Sequence, residues 1–430
     1  MMKTISKNKM SKNTIGLIVL CWIVYTCSYL GKLGYNANIT MIEEAYSVSH
    51  STAGMVSTFF FFAYGIGQII NGIFCKKYPL RLMVFIALIC SGLMNLLVAT
   101  TSDFLFVKYF WLINGAALSI LWPSLIRLLS ETLNEKDIGS AVVAMGTTVA
   151  VGTFFVYGLS ALFVALGSYL IMFFVAGFLL LIIAIIWFSL FPRLTKDTGK
   201  KQKANETVEG EKKEGFHGLW FSIIALAIFA VANNLIKDGL TTWVPMILKE
   251  LYDTPDYLSI LLTMILPILA ILGTGVAVML HKKIKDLVLL SATFFLLSAI
   301  FIGVVILCLP TGLLLITLGS FGLVSCVMAS VNNIVTSMAP LYWKGRGNSG
   351  LLAGVLNGFC YLGSTLSSYG LGAIADFGGW NAVFLTLFVL CMIVLLIGLV
   401  YFFVKRKRLL SIGVEGKEIG ELDERIAFDL

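Results

Sequence analysis

The chain has 430 residues, of which 59% are hydrophobic and only 13% are charged. Soluble domains carry about 25% charged residues, and the apolar residues here arrive in long uninterrupted runs. These features exclude an ordinary soluble enzyme, a disordered chain and a disulfide-stapled secreted domain. They predict an all-α polytopic membrane protein with the lipid bilayer as its partner. The formal charge is +8, but no basic patch alternates with polar aromatic residues, so we expect no nucleic acid partner.

Twelve runs of residues are long and apolar enough to be membrane-spanning helices, each of which needs about 20 apolar residues. In chain order the predicted spans are 15–38, 52–74, 82–100, 104–129, 138–165, 168–191, 219–247, 257–280, 286–308, 311–339, 347–374 and 379–404. We interpret the first run as a retained span and not a cleaved signal peptide, because no small-residue cleavage site follows it.

The basic residues predict how these spans are oriented. If both termini are cytoplasmic, 27 of the 31 basic residues fall on the cytoplasmic side, as the positive-inside rule requires. The sequence thus predicts a multi-pass protein of the inner or plasma membrane with both termini inside. Its predicted parts are an N-terminal half, a cytoplasmic linker, a C-terminal half and a cytoplasmic tail, at residues 1–191, 192–217, 218–404 and 405–430.

The two predicted halves resemble each other. Lys32 and Lys237 occupy similar positions in the first and seventh spans, and residues 139–152 parallel residues 350–363, with glycines matching at both ends. Repeated six-helix halves place a substrate site near the middle of the membrane, between the halves.

Lys32 and Lys237 are the candidate ligands of that site. A lysine in the centre of a span costs about 2.5–3.5 kcal/mol on insertion scales. Snorkelling is difficult for Lys32, which lies roughly 30 Å along the helix from Lys12 at about 1.5 Å per residue. Asp238 is the acidic residue well inside a span, and it is interpreted as an ion-pair partner, a proton carrier or a structural group. Adjacent residues point about 100° apart on a helix, so Lys237 and Asp238 are not expected to face one partner.

Polar residues accompany both lysines. Tyr25, Tyr29 and Asn36 share a helical stripe with Lys32, and buried polar groups in lipid need partners or a water-filled cavity. Two lysines facing one cavity would suit a small anion, while any single Asn or Thr could equally serve helix packing.

The sequence contains no motif for a metal, for ATP or for hydrolysis, so we expect no cofactor, no metal and no enzymatic activity. The candidate substrate-binding residues in other spans are Tyr64, Gln68, Asn357 and Tyr361.

Several motifs resemble the major facilitator superfamily, and within it the organophosphate:phosphate antiporters, the carriers of glycerol 3-phosphate and hexose phosphates. The first span has Tyr25, Tyr29 and Lys32 where that family has Tyr-x3-Tyr-x2-Arg, and Lys237 precedes a Trp-x-Pro motif as its second arginine does. The resemblance implies a rocker-switch fold that is monomeric by default. It also implies that Lys32 and Lys237 replace phosphate-binding arginines, and that Tyr25, Tyr29, Tyr64 and Tyr361 line the cavity.

The chain also departs from that family. Both arginines are lysines, which lack the planar fork that suits phosphate. Gln68 stands where the family has a lysine, and Thr148 where it has a histidine. A fourth-span motif at Trp122 and Pro123 also occurs in symporters of organic acids with cations. The sequence therefore predicts a secondary transporter of a small organic anion. It is expected to work by alternating access, like the organophosphate:phosphate antiporters, with organic-acid symport and sensing of sugar phosphates as the alternatives.

Overall fold

The computed structural model describes residues 10–74, 78–196, 219–343 and 349–411. These ranges fold into helices joined by short connections. In chain order the α-helices are α1 Lys12–Ala37, α2 Ile39–Tyr46, α3 His50–Phe74, α4 Leu80–Thr100, α5 Phe104–Leu118, α6 Leu121–Thr132, α7 Glu135–Ala165, α8 Leu170–Thr195, α9 Trp220–Tyr252, α10 Asp256–Thr263, α11 Ile265–His281, α12 Leu287–Cys308, α13 Leu314–Asn333, α14 Ala339–Tyr342 and α15 Ser349–Ser411. A 3₁₀ turn at Leu309–Thr311 and a π-helical turn at Ile334–Met338 complete the helical segments.

Twelve membrane crossings are present in the described ranges. Eleven helical segments there are long and apolar enough to cross a membrane, and the last, Leu352–Lys407, has 56 residues. That segment is broken at Gly379, where φ is 67° and ψ is −177°. Only glycine adopts this conformation without strain, so the chain turns there and the segment crosses twice. The all-α fold with twelve spans is therefore confirmed.

Prolines explain why three of the spans are broken into shorter helices. A proline has no amide hydrogen, and its ring clashes with the carbonyl group four residues earlier. In the predicted fourth, eighth and tenth spans, the α-helix is interrupted close to such a carbonyl. The proline and carbonyl pairs are Pro123 with Ser119, Pro267 with Thr263, and Pro340 with Thr336.

The helices form two halves, α1–α8 and α9–α15. The halves meet where α3 packs against α15 and where α7 packs against α10 and α11. Residues 197–217 of the predicted linker and residues 412–430 of the predicted tail lie outside the described residues. Within the described ranges, α8 continues to Thr195 and α15 continues to Ser411.

The bundle has two faces. α1 begins and α15 ends at one of them, which we call the terminal face. α2 lies at the opposite one, which we call the α2 face. α3 runs from the α2 face to the terminal face, and the first part of α15 runs the other way. The two helices are therefore antiparallel neighbours across the boundary between the halves.

Candidate functional site

The ammonium group of Lys32 is surrounded by tyrosine rings. Its Nζ lies 4.4 Å from the ring centroid of Tyr64 on α3, 5.5 Å from that of Tyr29 on α1 and 5.6 Å from that of Tyr361 on α15. The faces of aromatic rings carry partial negative charge and attract a cation at such distances. Because Tyr361 belongs to the second half, this cluster joins the two halves around one positive charge.

The tyrosines also contact one another. The rings of Tyr64 and Tyr361 are 4.8 Å apart, those of Tyr25 and Tyr29 are 5.7 Å apart, and Tyr25 packs on Trp122 at 4.8 Å. The structure thus brings together Lys32 and all four tyrosines that the sequence singled out. Trp122 is an added neighbour, positioned by the start of α6.

Gln68 and Asn357 lie one helical turn nearer the terminal face. The side-chain amide of Asn357 donates a hydrogen bond of 2.6 Å to Oε1 of Gln68. The pair joins α3 to α15 just as Tyr64 and Tyr361 do. It closes the tyrosine cluster on that side and offers a substrate both a donor and an acceptor.

Lys237 and Asp238 form an ion pair, with Nζ of Lys237 3.3 Å from Oδ1 of Asp238. An ion pair was one of the roles that the sequence left open for Asp238, and its partner in the structure is the adjacent lysine. Their side chains are 26% and 18% exposed although they lie in the middle of α9. Since charged groups avoid lipid, this exposure indicates a polar space inside the bundle.

Asp238 has further partners on α9 and on α15. Its Oδ2 accepts a hydrogen bond of 2.5 Å from Ser364 on α15, and the amide of Asn234 lies 3.4 Å away. Ser364 lies about one helical turn beyond Tyr361 on α15. The second lysine and its acid therefore lie beside the tyrosine cluster that surrounds Lys32.

Among the described residues, Lys32 has no such acidic partner. No ion pair joins it to a carboxylate in the ranges that the structure describes, where its charge faces only rings. A lysine inside a span is costly unless it is paired or lines an aqueous cavity. One uncompensated positive charge is thus available in the middle of the bundle.

The α2 face is closed by hydrogen bonds between the halves. Pro245 cannot donate to the carbonyl of Thr241, and that carbonyl instead accepts a bond of 2.6 Å from the hydroxyl of Tyr157 on α7. Asn36, which the sequence placed on the Lys32 stripe, donates a bond of 2.7 Å to Thr242. Its role is therefore to join the halves above the lysine.

Some polar residues that the sequence noted do not reach this site. Thr148 is buried, and its hydroxyl donates to the carbonyl of Met145 within α7. Thr147 accepts from the indole of Trp22 at 2.9 Å. Ser364 and Asn234 do reach it. Asn234 could have been found from the sequence, because it is a polar residue one helical turn before Asp238. Ser364 lies in a run of small residues, and nothing in the sequence distinguishes it from its neighbours.

One group of described residues has the composition of a metal site. Glu43, His50 and Glu250 bring ligand atoms within 4.8 Å of one another. They lie at the α2 face, away from both lysines.

Two six-span halves that meet along α3 and α15 are an architecture found in membrane transporters. Residues 21–349 match the Major Facilitator Superfamily, which is most of the chain, so the chain belongs to this superfamily. Solved structures agree on the fold. A bacterial homologue of the human lysosomal transporter Spinster, in an inward-facing and unoccupied conformation, has a TM-score of 0.75 at 12% identity and covers 91% of this chain and 98% of its own. The nucleoside transporter NupG has a TM-score of 0.69 at 14% identity, covering 91% and 99%.

The chain spans about a third of the length of the first curated relative that it matches. The chain is 24% identical to the membrane sensor protein UhpC of Escherichia coli (strain K12) over 136 residues, which are 32% of this chain and only 31% of that protein. It is 21% identical to the hexuronate transporter of Bacillus subtilis (strain 168) over 343 residues, which are 78% of this chain and 79% of that one.

Proposed function

We propose that this protein is a secondary active transporter of a small organic anion, which binds between the halves at Lys32. The observation that carries the proposal is the uncompensated ammonium of Lys32 among rings from both halves. An anion would supply the missing counter-charge. It would accept hydrogen bonds from the ammonium and from the phenol groups of Tyr25, Tyr29, Tyr64 and Tyr361, with Gln68 and Asn357 orienting its other end.

Transport would proceed by alternating access, in which the two halves rock about the central site. The closed α2 face then represents one end of the cycle. We place the protein in the inner or plasma membrane, with the α2 face outside the cell and the terminal face in the cytoplasm. In this orientation 27 of the 31 basic residues lie on the cytoplasmic side. One chain contains a complete site, so the proposed transporting unit is a monomer.

The substrate that fits best is an organic acid. The ion pair of Lys237 with Asp238 neutralises the second lysine. The site therefore keeps the single positive charge of Lys32, which suits one carboxylate. Both basic groups are lysines, without the fork that binds a phosphate in two places. The similarity to a hexuronate transporter supports this class, and Asp238 is the residue that we propose to carry a coupled proton.

Two other functions have support of their own. Exchange of a phosphate ester for phosphate would require Asp238 to release Lys237, so that both lysines face the dianion. Sensing is supported by the similarity to UhpC, which is described as a membrane sensor protein. A sensor would bind its anion at the same lysines while moving little of it.

Uptake into proteoliposomes separates these functions. Labelled hexuronate and labelled phosphate are each offered to vesicles, with and without an inward proton gradient and with or without the same compound inside. We expect saturable, proton-driven hexuronate uptake that is lost in Lys32→Ala. Lys108→Ala is the matched control, since Lys108 also faces an aromatic ring, that of Phe104, but lies outside the site.

The alternative outcomes are equally specific. Phosphate exchange without a proton gradient would favour the antiporter. Binding without flux would favour the sensor. Full uptake by Lys32→Ala would contradict the site itself.

A further inference from the structure

A histidine at the start of α3 lies between carboxylates from both halves. Nδ1 of His50 is 2.8 Å from Oε1 of Glu43 on α2, and its Nε2 is 3.6 Å from Oε1 of Glu250 on α9. Glu43 belongs to the same half as His50, whereas Glu250 belongs to the other. The imidazole ring therefore bridges the boundary between the halves at the α2 face.

A third carboxylate binds the backbone at the same place. Asp376 on α15 accepts hydrogen bonds of 3.0 and 2.9 Å from the amides of His50 and Ser51. These amides are the free donors at the start of α3, where a negative charge is favourable. Asp376 thus caps a helix of the opposite half, and this cap exists only while the α2 face is closed.

Two tryptophans of the second half complete the contact. The ring of His50 lies 5.3 Å from that of Trp380 and 5.9 Å from that of Trp243. The indole of Trp380 also donates a bond of 2.7 Å to Oε2 of Glu250, which fixes that carboxylate beside the histidine. The site is built from four helices, and only 17% of the histidine side chain is exposed.

The arrangement suits a proton better than a metal ion. A histidine binds a metal through one ring nitrogen, while the other donates to a partner. Here each ring nitrogen faces a different carboxylate. Only the protonated ring can donate to Glu43 and also carry a charge opposite to that of Glu250.

We propose that His50 is a proton-binding site that controls the closure of the α2 face. Protonation gives the imidazole ring its second N–H, so that each ring nitrogen carries one, and adds a positive charge among Glu43, Glu250 and Asp376. When the halves separate, Glu250 and Asp376 leave with the second half, and the charge loses those partners. Binding of a proton therefore favours the closed face, and deprotonation favours its opening.

A second ion pair joins the two halves near this site. Lys249 on α9 is paired with Glu44 on α2 and with Asp256 on α10 at 2.7 Å. It adds a second bridge between the halves that is insensitive to pH between about 5 and 8, since lysine titrates near 10.4. Histidine is the side chain whose charge ordinarily changes between about pH 5 and 8, so His50 is the member of this cluster that would respond to pH in this range.

The test measures the opening of the α2 face directly and needs no substrate, so it is independent of the proposed transport function. Leu166 and Leu315 lie at this face in opposite halves and are 68% and 81% exposed. A genetically encoded keto amino acid at both positions carries spin labels and leaves the native cysteines unchanged. Distances are then measured in nanodiscs between pH 5.5 and 7.5, with a metal chelator present.

We expect the ratio of open to closed populations to rise about fivefold or more from pH 5.5 to 7.5, a typical coupling between two sites. His50→Gln should remove this response, and Glu250→Gln should weaken it. His281→Gln is the matched control, because His281 lies at the end of α11 on the terminal face. A flat wild-type profile, an unchanged response in His50→Gln, or a response that appears only with added zinc would each overturn the proposal.

Discussion

Nζ of Lys237 lies 3.3 Å from Oδ1 of Asp238, the next residue of the same helix. Lys32 occupies the matching position of the other half, yet it faces three tyrosine rings and no acid among the described residues. Two lysines related by the internal repeat are therefore in different electrostatic states. One is free to meet a negative charge, and the other stays neutralised until its acid is protonated or drawn away.

Replacing Lys32 by alanine should weaken binding of the transported anion about 10- to 100-fold. A hydrogen bond to a charged group contributes about 1.5–3 kcal/mol, and alanine removes it together with the charge. Lys32→Arg keeps the charge and the attraction to the rings, so it should retain most of the affinity. Isothermal titration of the purified variants measures both values, and equal affinity of Lys32→Ala and wild type would contradict the assignment.

The helical architecture could largely be predicted from the sequence. Long apolar runs and the distribution of lysine and arginine are sufficient to count the spans, and the predicted ends lie within a few residues of the observed ones. The breaks near Ser119, Thr263 and Thr336 were not predicted, because hydropathy does not register the carbonyl that a later proline leaves unpaired. Their prolines are visible in the sequence, so this signal could have been used.

The site was predictable in its residue types but not in its pairings. Helical spacing places Tyr25, Tyr29 and Lys32 on one stripe. The pairs of Tyr64 with Tyr361 and of Gln68 with Asn357 depend instead on the antiparallel register of α3 and α15. One sequence alone does not specify that register. The cluster around His50 was missed for the same reason, since its members come from four separate helices.

Asp238→Asn should separate exchange from accumulation. Asparagine keeps a hydrogen-bonding group for Ser364 but cannot take up a proton. If Asp238 carries the coupled proton, exchange between equal substrate pools should persist, while accumulation driven by a proton gradient should fall to background. Proteoliposome flux under the two conditions measures this difference.

Asp103→Asn is the matched control for that experiment. Asp103 caps α5 outside the site, and asparagine is an equally good cap, so both activities should remain. Normal gradient-driven accumulation by Asp238→Asn would show that the proton binds elsewhere.

Gly54→Ala should hold the α2 face open. A Cβ atom at Gly54 would lie 2.3 Å from the carbonyl oxygen of Ser368, and a backbone atom of the facing helix cannot move aside alone. Overpacking of this kind costs about 1–3 kcal/mol, which corresponds to about 5- to 150-fold in the ratio of open to closed states. Spin-label distances between positions 166 and 315 report the shift. Gly146→Ala, where the added atom meets nothing within 4 Å, should leave the distances unchanged.

The last prediction concerns the carbonyl of Thr241, which Pro245 leaves without a helical partner and Tyr157 satisfies from the other half. Tyr157→Phe should leave this buried acceptor unpaired at a cost of about 1–3 kcal/mol. Opening of the α2 face would expose the carbonyl to water, so the open population should rise.

Pro245→Ala provides the decisive second variant, because alanine restores the amide that can bind the Thr241 carbonyl within α9. In this background Tyr157→Phe should have little effect on the open population. The two changes should therefore be strongly non-additive, as expected for groups that share one partner. The same spin-label pair measures all four combinations. Additive effects would mean that Tyr157 acts through its packing and that the freed carbonyl does not hold the halves together.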